Sequence, residues 1–76
     1  MTLADLKPGQ TGNITAIDTQ NPEIVRLMVL GLVEGVDVKF ENTAIGGDPL
    51  EVSVYGASIS VRREQAIKFE LNDIPT

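Results

Sequence analysis

Seventy-six residues are enough for one domain with one core and too few for two. The sequence has no Cys and no His, which rules out disulfides, thiolate or imidazole metal sites and the usual neutral-pH acid–base group. Eleven acids against six bases, a net charge of −5, argue against nucleic-acid and anionic-membrane partners, because both need a basic surface.

A hydrophobic content of 42% is that of a folded chain. The longest apolar run, Leu27 to Val33, is interrupted by Gly31 and is far too short to cross a bilayer. The opening residues lack the basic-then-apolar pattern of a secretory signal. These features predict a cytoplasmic protein with no direct membrane insertion.

In chain order, Thr2-Leu3-Ala4-Asp5-Leu6 predicts one helical turn, capped by Thr2 and answered by Asp5 three residues on. Lys7-Pro8-Gly9-Gln10 has the Pro-Gly order of a type II turn. A strand follows from Gly12 to about Asp18, with Ile14 pointing inward. Asn21-Pro22-Glu23 opens a helix with a cap, a proline in the first turn and an acid behind it. Gly31 is placed to end that helix in a left-handed cap, with Leu32 folding back toward Leu27. Ile24, Leu27 and Met28 share one face at helical spacing and are assigned to the core. Val33-Glu34-Gly35-Val36 reads as another tight turn.

The period then changes from 3.6 to two. Val36, Val38 and Phe40 alternate with Asp37, Lys39 and Glu41, and Leu50, Val52 and Val54 alternate with Glu51, Ser53 and Tyr55. A hairpin turn around Tyr55-Gly56-Ala57-Ser58 leads to Ile59 and Val61. Arg63-Glu64-Gln65-Ala66 forms a short helical turn, Ile67 to Leu71 a last strand, and residues 72–76 a flexible tail. One domain over residues 1–71 follows. Five short strands and one helix after the first strand predict a mostly β fold curled into a closed or nearly closed small barrel, which removes exposed sheet edges.

The chemistry-bearing motifs are few. Gly46-Gly47-Asp48 lacks the Lys-Ser/Thr order and the following helix of a phosphate cradle, so it reads as a hairpin loop. Glu34, Asp37, Glu41 and Glu51 are the best carboxylates for a hard cation, but alternating acids on strands form a solvated face. Arg62 and Arg63 are expected in surface ion pairs with Glu64 or Glu70. Ser53, Ser58 and Ser60 have no His to activate them, and a barrel this small is filled by its own side chains. The sequence therefore predicts no catalytic residue, no cofactor and no metal site.

Four stretches in register resemble the ferrous iron transport protein A (FeoA) family. They are Leu3-x-x-Leu6-Lys7-Pro8-Gly9, Arg26-Leu27-Met28-x-Leu30-Gly31-Leu32-x-x-Gly35, Gly47-Asp48-Pro49-Leu50-Glu51-Val52 and Ile59-Ser60-Val61-Arg62-Arg63-x-x-Ala66. The resemblance implies an SH3-like barrel. It also implies an accessory role in bacterial ferrous iron uptake, through binding the cytoplasmic part of the membrane transporter that carries a GTPase domain. The alternative is a stand-alone relative of the SH3-like domain of iron-dependent repressors, acting through protein contacts. Two positions depart from the family pattern: Glu34 replaces the usual Pro, and Ile45-Gly46 the usual Pro-Leu, which predicts a looser loop.

The partner-binding candidates lie on the helix and this loop. At about 100° per residue, Val29 falls opposite the Ile24–Leu27–Met28 face and Val25 lies one turn before it. An apolar patch of Val25 and Val29, widened by Val33 and rimmed by Arg26, is the first docking candidate. Ile45, Gly46, Gly47 and Asp48 are the second. Self-association through either surface stays open.

Overall fold

The structure, a computed structural model, describes residues 1–74. Thr2 opens a single 3-10 turn, Leu3–Asp5, in which the Asp5 carboxylate accepts the Thr2 N–H at 2.7 Å. The turn at Lys7 closes with Gln10 N–H on the Lys7 carbonyl at 2.9 Å, and Gly9 supplies the positive φ of 86°. Strand β1 then runs Thr11–Ile17 and helix α1 Pro22–Val29.

Both ends of α1 follow local chemistry. The Asn21 side-chain oxygen accepts the Glu23 N–H at 2.8 Å. At the other end Gly31 adopts φ 123°, its N–H donates to Met28 O at 3.0 Å, and Leu32 N–H donates to Leu27 O at 3.1 Å. This pair of bonds is a Schellman cap. Strands β2 (Asp37–Thr43), β3 (Leu50–Val54) and β4 (Ala57–Val61) follow, then helix α2 (Arg63–Ala66) and strand β5 (Phe69–Ile74). The β3–β4 turn is tighter than the sequence implies. Only Tyr55 and Gly56 lie between the paired Val54 and Ala57, both at positive φ, as a type I′ turn requires.

The five strands form one antiparallel sheet in the order β4-β3-β2-β1-β5. Irregularities at Thr15, between the pairs of Ile14 and Ala16, and at Glu41, between those of Phe40 and Asn42, insert an extra residue into β1 and β2. Bulges of this kind bend a strand and raise its twist, so the sheet curls around its apolar face. The curl stops short of closure. β4 and β5 are not paired with each other, so of the closed or nearly closed barrel expected the structure shows the open form, with α2 joining its two end strands.

Inside the curl the expected core is present: Val38, Phe40, Val52, Val54, Ile59 and Phe69 are all buried, with Leu3, Ile24 and Leu27 closing one side. Met28 departs from expectation. It is only partly buried, and Leu32 and Val36, which follow the helix, complete the wall instead.

The last strand also differs from its prediction. It begins at Phe69, because Ile67 ends α2 and stays exposed, and it continues through Asn72 and Asp73 to Ile74. These residues, expected in the flexible tail, pair with Asn13, Gly12 and Thr11 of β1. The exposed polar side chains of Asn72 and Asp73 hide the extension from any hydrophobic pattern; the available backbone of β1 creates it. The rest of that tail, residues 75 and 76, lies outside the described residues.

Candidate functional site

Helix α1 buries Ile24 and Leu27 and turns its other side outward. Val29 is 82% exposed and Val25 46%, so the Val pair faces solvent as the helical angle predicts. Arg26 is exposed beside them, and Val33 lies beyond the cap at 36% exposure. The structure adds Leu30, 57% exposed at the end of the helix. The same angular argument puts Leu30 about 120° from Ile24 but only about 60° from Leu27, at the border of the buried face. Helical angle alone therefore does not place Leu30 outside, and only the structure does.

The β2–β3 loop divides in two. Ile45 is fully exposed and Gly46 stands free beside it. Gly47 and Asp48 are instead held by Arg63 at the start of α2. The Arg63 guanidinium donates from Nε to Gly47 O at 2.6 Å, and its backbone N–H donates to Asp48 Oδ1 at 3.0 Å. Nη1 reaches Ala4 O at 3.4 Å. Ile45 and Gly46 form the exposed tip of a turn closed by the Gly47 N–H on Ala44 O at 2.9 Å, and the looser loop expected here is tied down at Gly47 and Asp48. The expected ion pair of Arg63 fails for the same reason: its Nε and Nη1 donate to carbonyls instead. Glu70 sits 3.5 Å from the N-terminal ammonium, and no described carboxylate pairs with Arg62 or Arg63.

A cleft of about 300 Å³ separates α1 from the β4–α2 side of the sheet. Arg26, Leu27 and Leu30 form its helical wall, with Pro49, Ser60 and Arg62 opposite. The β2–β3 loop thus reaches this surface through Pro49. Gln65 Nε2 donates to Glu23 Oε2 at 2.5 Å and ties α2 to the first turn of α1.

The four candidate carboxylates are dispersed. Asp37 accepts from Asn13 Nδ2 at 2.9 Å, Glu41 lies 3.9 Å from Lys39, and Glu51 accepts the Ser60 hydroxyl, while Glu34 is exposed on the turn before β2. Among the described residues no three acidic side chains converge on a point that could hold a metal ion. The isolated chain is therefore expected to bind neither Fe²⁺ nor Zn²⁺ tightly, since both favour imidazole or thiolate ligands that this sequence lacks. Anaerobic titration calorimetry checks this, and a one-to-one complex at about micromolar affinity or better would refute it.

An open, strongly curled five-stranded antiparallel sheet whose distinctive surface is apolar and external defines a small SH3-like module. The FeoA domain family matches residues 1–70, and the chain belongs to it. The FeoA protein of Chlorobium tepidum is 33% identical with a TM-score of 0.90, over 99% of this chain and 71% of that one. FeoA of Stenotrophomonas maltophilia, solved with zinc and described as a prokaryotic SH3 domain protein, is 28% identical with a TM-score of 0.82, over 95% and 89%. IdeR of T. acidophilum is 27% identical with a TM-score of 0.83 over 97% of this chain, which spans 34% of that longer protein. No curated protein matches the sequence. Among the described residues no helix is long and apolar enough to cross a membrane.

Proposed function

We propose that the chain is an accessory protein of a bacterial ferrous iron uptake system, acting by binding the cytoplasmic part of the membrane transporter that carries a GTPase domain. Membership of the FeoA family supports the uptake role. The observation that carries the docking mode is the outer side of α1, where Val25, Val29 and Leu30 stay in water although the core beneath is complete. Such side chains lie outside the buried core and add little to it. Burying them against a partner returns about 25 cal/mol for each Å² of apolar surface removed from water.

The test pairs Val25→Ser with Val29→Ser. Neither side chain contributes to the buried core, so stability should change by less than about 1 kcal/mol. Binding to the purified transporter should weaken by about tenfold or more, read by surface plasmon resonance. A folded double variant that binds as well as the parent removes α1 from the interface and leaves Ile45 and Gly46 as the docking element.

The 27% identity with IdeR supports a second reading, a free-standing counterpart of a repressor's SH3-like domain. Under it the chain binds a metal-dependent regulator, and the purified transporter shows no saturable binding.

A further inference from the structure

The two ends of the curled sheet are finished differently. The outer edge of β5 is occupied by the start of the chain: Leu71 N–H donates to Met1 O at 2.8 Å, and Thr2 bridges to Glu70. β4 ends the strand order on the other side, and no described strand pairs with its outer edge.

The direction of its free groups follows from the turn. A two-residue type I′ turn makes Val54 and Ala57 a hydrogen-bonded pair. Pairs then alternate along the ladder, so Val52–Ile59 and Leu50–Val61 are bonded while Ser53–Ser58 and Glu51–Ser60 are not. The amides and carbonyls of Ser58 and Ser60 therefore aim away from β3, two residues apart, with no described backbone partner. That spacing is what an added strand requires.

Ser60 also lines the cleft against α1. At about 300 Å³ the cleft admits an extended chain with a side chain or two, and not a helix about 10 Å across. Its chemistry is uneven. The chain has only six cationic side chains, and Arg26 and Arg62 both border this cleft without an ion pair among the described residues. Glu23, the acid at the cleft, is engaged by Gln65. Leu27 and Leu30 form the apolar part of the wall.

We infer that the α1–β4 cleft receives an extended segment of a partner protein, added as a strand to β4, with an acidic residue beside an apolar one. The segment's backbone pairs with Ser58 and Ser60, its carboxylate meets Arg26 and Arg62, and its apolar side chain packs on Leu27 and Leu30. The site rests on the cleft's own geometry and does not depend on which protein supplies the segment.

A random dodecapeptide library displayed on phage and panned against the intact chain tests this, with selected peptides titrated into the isotope-labelled protein by NMR. The expected peptides carry Asp or Glu next to an apolar residue and shift the Ser58 and Ser60 amides. Replacing Arg26→Ala together with Arg62→Ala should weaken them at least about tenfold. Ser60→Pro should abolish binding, because it deletes an edge N–H while leaving the β3–β4 ladder bonds in place. Failure to enrich any sequence overturns the inference. So does a selected peptide whose shifts lie away from β4, or one that binds the arginine double variant or a folded Ser60→Pro chain as it binds the parent.

Discussion

Truncating Phe40 or Phe69 to alanine is expected to cost about 3–5 kcal/mol, the largest effect of any single change in this chain. Phe40 is 2% exposed and Phe69 fully buried, and they are the largest side chains of the core. Each loses its transfer free energy and leaves a hole that bulged, hydrogen-bonded strands on either side cannot easily collapse into. A domain of this size has roughly 4–11 kcal/mol to lose, so either variant should sit near or below its folding threshold at room temperature. Urea denaturation followed by circular dichroism measures it. The result also tests register. Phe40 pairs with Val52 across β2 and β3, and a slip of one residue would turn both outward and make the truncation almost free. A variant as stable as the parent would therefore refute the register as well as the core.

Gly12→Ala is the second large effect and comes from crowding. An added Cβ would stand 2.9 Å from Leu71 Cδ1 and 3.3 Å from the Asn72 carbonyl oxygen. Leu71 belongs to the core, so its methyl has no free space to move into, and the carbonyl belongs to the paired β5 backbone. Replacing glycine also removes unfolded-state freedom, which by itself favours alanine by about 0.4–1 kcal/mol. Overpacking of a closed site costs about 1–3 kcal/mol and should dominate. The expected result is a lower urea midpoint with an unchanged slope. Equal stability would mean that β1 and β5 stand further apart than they do here. The test bears on the part of β5 that the sequence reading missed, since Gly12 faces Asp73 in the stretch read as a tail.

The docking surface was legible by one argument and incomplete by another. Helical angle alone puts Val25 and Val29 outside, because helix geometry is local and the core side is marked by Ile24 and Leu27. The same angle left Arg26 as a rim residue. Its relation to Arg62, thirty-six positions along the chain, exists only because α1 is laid beside β4. Asp48 and Arg63 are a parallel case. Read separately they are a loop acid and a surface base, and in the fold one carboxylate oxygen caps the other's backbone N–H.

Whatever depends on neighbouring residues was legible along the chain: the caps of α1, the glycine at its end, the Pro-Gly turn, and the alternation that sends Val38, Phe40, Val52 and Val54 inward. These depend on hydrogen bonds and periodicities spanning a few residues, so a short window contains them. The fold as a whole was needed to show that the sheet stays open, that β5 runs on to Ile74, that Met1 and Thr2 seal one edge and that no described strand pairs with the outer edge of β4. Each of those outcomes depends on a backbone group meeting another that is distant in the chain. Backbone amides and carbonyls are the same at nearly every residue, so their long-range partners leave no mark in the side-chain sequence.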